Sequence, residues 1–160
     1  MTRLPLALAA LLLSPPAQAQ ELSAVEWLTL GHGACLAGGG SPDDTSLVFN
    51  EIGFAEDTEG EDGLIYFVNE AVPDMLVYAA DDGSFCHVES LSVGTETASL
   101  AFIAFQDSLG LALDHNQSED GCTQFGIAGG DILATVTSGG NDPFCASDTD
   151  SAIRFTFPAI

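Results

Sequence analysis

The sequence predicts an α+β domain: a mostly antiparallel sheet of hairpins, with N-terminal helices and one long helix packed on it, closed by two disulfides. Helical periodicity falls in the N-terminal part and in one central segment, strand-like segments pair about Gly-rich turns, and regular βαβ alternation is missing. Cys35, Cys86, Cys122 and Cys145 form an even set without a C-x-x-C pair, which suits two bridges in an oxidising compartment.

The chain opens with the three parts of an export signal. Arg3 supplies a positive start, residues 4–13 an apolar run, and Ala17-Gln18-Ala19 an A-x-A cleavage site. The run is broken by Ser14-Pro15-Pro16 well before the roughly 18 residues that a membrane span needs. The expectation is a signal peptide over 1–19, a single acidic domain over 20–160 without membrane insertion, and a periplasmic or extracellular location.

Ser23 and Glu26 form a capping box, so a helix should start at Ser23 and end at Gly38-Gly39-Gly40, with Ala24, Leu28, Gly31 and Cys35 on one stripe at helical spacing and Cys35 on the buried face. Ser41-Pro42-Asp43-Asp44 offers a second cap and a short helix to about Ile52, with a strand over 47–54 as the alternative. The acidic stretch 56–63 reads as a solvated loop. Residues 64–68, 75–80 and 85–91 read as strands, the last two joined by a two-residue turn at Asp82-Gly83. That turn sets Ala79 opposite Cys86, Val77 opposite Val88, and Tyr78 opposite His87.

Thr95 is the expected cap of the strongest helix, whose stripe of Ala98, Ala101, Phe102, Phe105 and Leu109 ends at Gly110. A polar loop over 114–121 precedes a second hairpin, 123–128 with 132–138, about Gly129-Gly130. The last strand, 151–157, turns Ile153, Phe155 and Phe157 inward and Arg154 and Thr156 outward. Cys145 follows the strand that returns to the level of Cys122, so these two should pair. Cys35 and Cys86, both on inner faces, are left to staple helix to sheet.

Charge narrows the function. All 24 Asp and Glu follow the export signal, and Arg154 is the single Lys or Arg beyond it, leaving a formal charge near −23. Nucleic acid and anionic lipid both demand clustered cations, so neither is an expected partner; a basic protein partner is. The acidity also serves solubility.

No G-x-S-x-G, H-E-x-x-H, Walker or Rossmann pattern occurs, and no cofactor is expected. Cys86 and His87 cannot act as nucleophile and base, because adjacent strand residues face opposite ways. His32, His87 and His115 lie in separate elements without zinc-like spacing. Three acidic stretches begin like EF-hand loops at Asp57, Asp114 and Asp148, and all lack the required later ligands. Asp142, Asp148 and Asp150 remain as a calcium candidate of another kind. Tyr78 with His87 is a cross-strand pair on a half-exposed face. Arg154 should meet carboxylates there, or else anchor an anionic ligand group. The function expected is a non-enzymatic interaction or binding module; an extracytoplasmic hydrolase using a carboxylate or His87, and a calcium-dependent binding module, are the alternatives.

Overall fold

A computed structural model describes residues 21–57, 63–140 and 143–158. The expected signal segment and cleavage site lie outside the described residues, as does most of the acidic stretch 56–63. Among the described residues no helix is long and apolar enough to cross a membrane.

Helix α1 (Ala24–Gly38) starts on the expected capping box: Glu26 N–H donates to Ser23 Oγ, and the Glu26 carboxylate accepts the Ser23 N–H at 2.7 Å. It stops at Gly39, whose left-handed backbone returns its N–H to Cys35. Helix α2 (Pro42–Glu51) follows with Ser41 as cap and Pro42 in its first turn. The strand alternative over 47–54 is thereby excluded.

Among the described residues eight strands follow: β1 (Ala55–Asp57), β2 (Leu64–Val68), β3 (Met75–Ala80), β4 (Phe85–Ser90), β5 (Asp114–Gln117), β6 (Thr123–Ile127), β7 (Ile132–Thr137) and β8 (Ser151–Thr156), with α3 (Thr95–Ser108) between β4 and β5. They form one sheet in the order β1-β2-β3-β4-β8-β7-β6-β5, antiparallel throughout. Two four-stranded meanders are therefore joined side by side, each through its last strand. The two strands absent from the sequence reading, β1 and β5, are the sheet edges. Every residue of both is exposed, so neither shows the alternation that marks a half-buried strand.

The β3–β4 register is as expected, with Tyr78 opposite His87 and Ala79 opposite Cys86. The turn itself is longer than two residues: Asp81 to Ser84 link the strands, and Gly83 N–H closes on Ala80 O at 3.0 Å. Both loops centre on the same point, so the register is unchanged. Gly83 sits at φ +76°, and a Cβ there would collide with the Gly40 carbonyl, which locks the hairpin tip against the α1–α2 junction.

Helix α3 corrects the expected cap. Gly94 is the N-cap residue and makes no side-chain cap bond. Thr95 is already helical, and its hydroxyl donates to Ser147 O at 3.1 Å while accepting Ser147 N–H at 3.1 Å. The loop before β8 is thus pinned to the start of α3.

Helices α1, α2 and α3 cover one sheet face. Val77, Val88, Ile153 and Val136 form one buried row across it, and Ala79, Cys86, Phe155, Ala134 and Phe125 another. Phe49 of α2 stacks on Phe67 at 4.7 Å, and Phe102 of α3 meets Phe155 edge-on at 5.7 Å. Both disulfides match expectation. Cys35–Cys86 ties α1 to β4 with Cα atoms 5.6 Å apart, and Cys122–Cys145 ties the residue before β6 to the loop before β8 at 4.7 Å. His32 lies in this core between Phe102 and Phe155, fully buried, and desolvation drops its pKa to about 3.

Candidate functional site

The sheet face opposite the helices carries the chemistry. One row runs across all eight strands: Asp57, Tyr66, Tyr78, His87, Arg154, Thr135, Gln124 and Asn116, each opposite the next. Every member is polar or has a polar tip. Side-chain alternation delivers them to this face because the other face is packed with Val, Ile and Phe.

Tyr78 and His87 stack with ring centroids 4.4 Å apart, and Tyr66 lies 5.4 Å from Tyr78 on its other side. Arg154 is the neighbour of His87 in register, yet its guanidinium passes over to donate from Nη2 to Tyr78 Oη at 3.3 Å. On the way it lies 4.9 Å above the Phe85 ring. The arginine side chain therefore crosses β4, and this helps leave His87 only 6% exposed. The carboxylate neighbours expected for Arg154 are not found: among the described residues it forms no ion pair. The Phe85 ring face and the Tyr78 phenol oxygen hold the cation instead, and Arg154 remains exposed.

Glu89 belongs to the same site and was missed from sequence. The signal was present, since Phe85, His87 and Glu89 alternate along one strand onto one face. Glu89 is 5% exposed, and its Oε2 lies 3.5 Å from His87 Nε2, at ion-pair distance but outside hydrogen-bond alignment. The Gly140 N–H donates to Glu89 Oε1 at 3.1 Å. A Cβ on Gly139 would strike the same carboxylate, so only glycine lets the loop lie this close. His87 and the Gly140 N–H hold the Glu89 carboxyl below its ordinary pKa against the opposing effect of burial. Desolvation first, and then the nearby guanidinium, lowers the His87 pKa, while Glu89 opposes both. His87 is therefore a neutral imidazole near pH 7, with neither ring nitrogen bonded to the protein.

These residues border a cleft of about 470 Å³, open to solvent, lined by Tyr78, His87, Asp120, Thr135, Thr137 and Arg154 among others. The structure thus brings together the three sequence candidates Tyr78, His87 and Arg154, and adds Glu89 beneath them. Of the bridge cysteines, Cys122 alone lines this cleft.

The calcium candidate is not assembled in the same way. Asp150 is engaged by the Ser147 and Thr149 hydroxyls and by Gly139 N–H, and Asp142 lies outside the described residues. No three His, Cys, Asp or Glu side chains converge as metal ligands among the described residues. Comparison with protein-family models, curated proteins and solved structures gives no match.

Proposed function

We propose that this chain is an exported, non-enzymatic binding domain that receives a basic protein partner through the helix-free sheet face. The supporting observation is Arg154: in a chain with 24 Asp and Glu and 2 Lys and Arg, an exposed guanidinium at a cleft rim makes no ion pair among the described residues and so offers a contact to an anionic group on an otherwise basic partner. A cation kept only for stability would be expected to sit against a carboxylate, of which the chain has many. The acidic surface supplies long-range attraction for Lys and Arg on the partner, and the cleft supplies the short-range fit.

A hydrolase is the second reading, favoured by one observation. His87 is neutral, lies at a cleft and has Glu89 beside Nε2, as a general base with an orienting carboxylate would. No serine, threonine or cysteine donates to the imidazole among the described residues, so the nucleophile would have to be water.

Capture from an extracytoplasmic extract separates the readings, with wild-type protein compared to Thr137→Phe, which fills the cleft. Retention of a basic protein by wild type and its loss in the folded variant is expected. Equal retention by both would remove the cleft from the interaction. Hydrolysis of an ester or glycoside substrate panel, abolished by Glu89→Gln, would replace the binding reading with the enzymatic one.

A further inference from the structure

We infer that the Arg154 cleft takes the C-terminal carboxylate of a basic peptide chain. The inference rests on the binding reading above and names the ligand group for it. Two observations point to a ligand at this place: Arg154, whose guanidinium forms no ion pair among the described residues, and the buried ring of His87, whose nitrogens have no hydrogen-bond partner among those residues although His87 borders the cleft. Arg154 can turn a planar pair of N–H groups to a carboxylate, and Tyr78, which accepts from Arg154, keeps its own O–H to donate. A guanidinium and a phenol 3.3 Å apart make a fork for one carboxylate group.

Charge restricts what can carry that carboxylate. The formal net charge of −22 repels simple anions, and Asp120 stands in the same cleft. A carboxylate followed closely by cationic side chains satisfies both conditions: its end meets Arg154 and Tyr78, while its Lys or Arg residues meet Asp120. A chain terminus also fits the size, since about 470 Å³ suits a small ligand or the tip of a chain rather than a folded surface. Capture of terminal carboxylates is an established mode of peptide recognition.

The test uses acetyl-Lys-Lys-Ala as its free acid and as its carboxamide, titrated by calorimetry and by chemical-shift mapping at low salt. The acid is expected to bind about tenfold or more tightly than the amide, because amidation removes the negative charge that assists both bonds and one of the two acceptor oxygens. In Arg154→Gln, at an unchanged melting temperature, that preference should vanish, and Arg154→Lys should restore only part of it. Equal binding of acid and amide by wild type would overturn the inference yet leave the binding reading standing, as charge alone would then draw the peptide. A preference that survives Arg154→Gln, or shifts confined to another surface, would also overturn it. Free lysine binding as tightly as the peptide acid would reassign the site to an amino acid. Failure of both peptides, with cleft-dependent capture of a basic protein intact, would reject the chain terminus as the group recognised and nothing else.

Discussion

Arg154 on β8 donates to Tyr78 on β3, two strands away, and so passes over His87 on the strand between them. The Phe85 ring and the Tyr78 phenol oxygen hold the guanidinium where a carboxylate would otherwise be needed. This makes Arg154 both the roof of a buried imidazole and the cation presented to the cleft.

The pKa of His87 should report on that roof. Removing the neighbouring positive charge in Arg154→Gln should raise it, and removing the opposing carboxylate in Glu89→Gln should lower it further. Long-range proton–nitrogen NMR titration of the imidazole reads both. Shifts of the opposite sign would mean that the guanidinium and carboxylate do not lie against the ring.

His32 should make the fold sensitive to mild acid. Its folded pKa of about 3 lies below the ordinary value of 6.5, so the unfolded chain binds the extra proton and stability falls as pH drops below 6.5. The loss attributable to this residue should be about 1 kcal/mol between pH 6 and 5, since one proton per pH unit is worth about 1.4 kcal/mol. His32→Leu should reduce the slope of unfolding free energy against pH by that amount. His87, also lowered, should leave a remainder of the same sign.

The bridges should differ in worth. Cys35–Cys86 closes a separation of 51 residues and Cys122–Cys145 one of 23. Loop entropy gives about 4 and about 3 kcal/mol for them. Urea unfolding of the paired alanine variants should rank them in that order. Non-reducing peptide mapping of the native protein should yield only these two cross-links.

Gly83→Ala should cost at least about 1 kcal/mol, combining a left-handed backbone with the collision against Gly40 O. Gly129→Ala provides the contrast. It has a similar φ of 78° but open space at the Cβ position, so it should show the conformational part alone. Equal losses at both sites would mean that the hairpin tip does not bear on the helix junction.

Local chemistry made much of this molecule legible in its sequence. Ser23 and Glu26 announce a helix start because they bond to each other's backbone across three residues, and Ser41 with Pro42 does so again. Asp82-Gly83 centres a hairpin, and the period of two then fixes Tyr78 opposite His87 and Cys86 on the inner face. Cys35 lies on the buried stripe of its helix, so both disulfides follow from local pattern and elimination.

Tertiary structure decided what local pattern could not. The edge strands β1 and β5 exist through hydrogen bonds to a neighbour, with no buried face to imprint alternation on their residues. Thr95 resembles a cap in sequence, but Ser147, 52 positions away, claims its hydroxyl. The insertion of β8 between β4 and β7 is a long-range choice, and it alone brings Arg154 beside His87. Acidic residues are so abundant that sequence promised Arg154 a carboxylate. Strand register placed the Phe85 ring and the Tyr78 phenol within its reach instead.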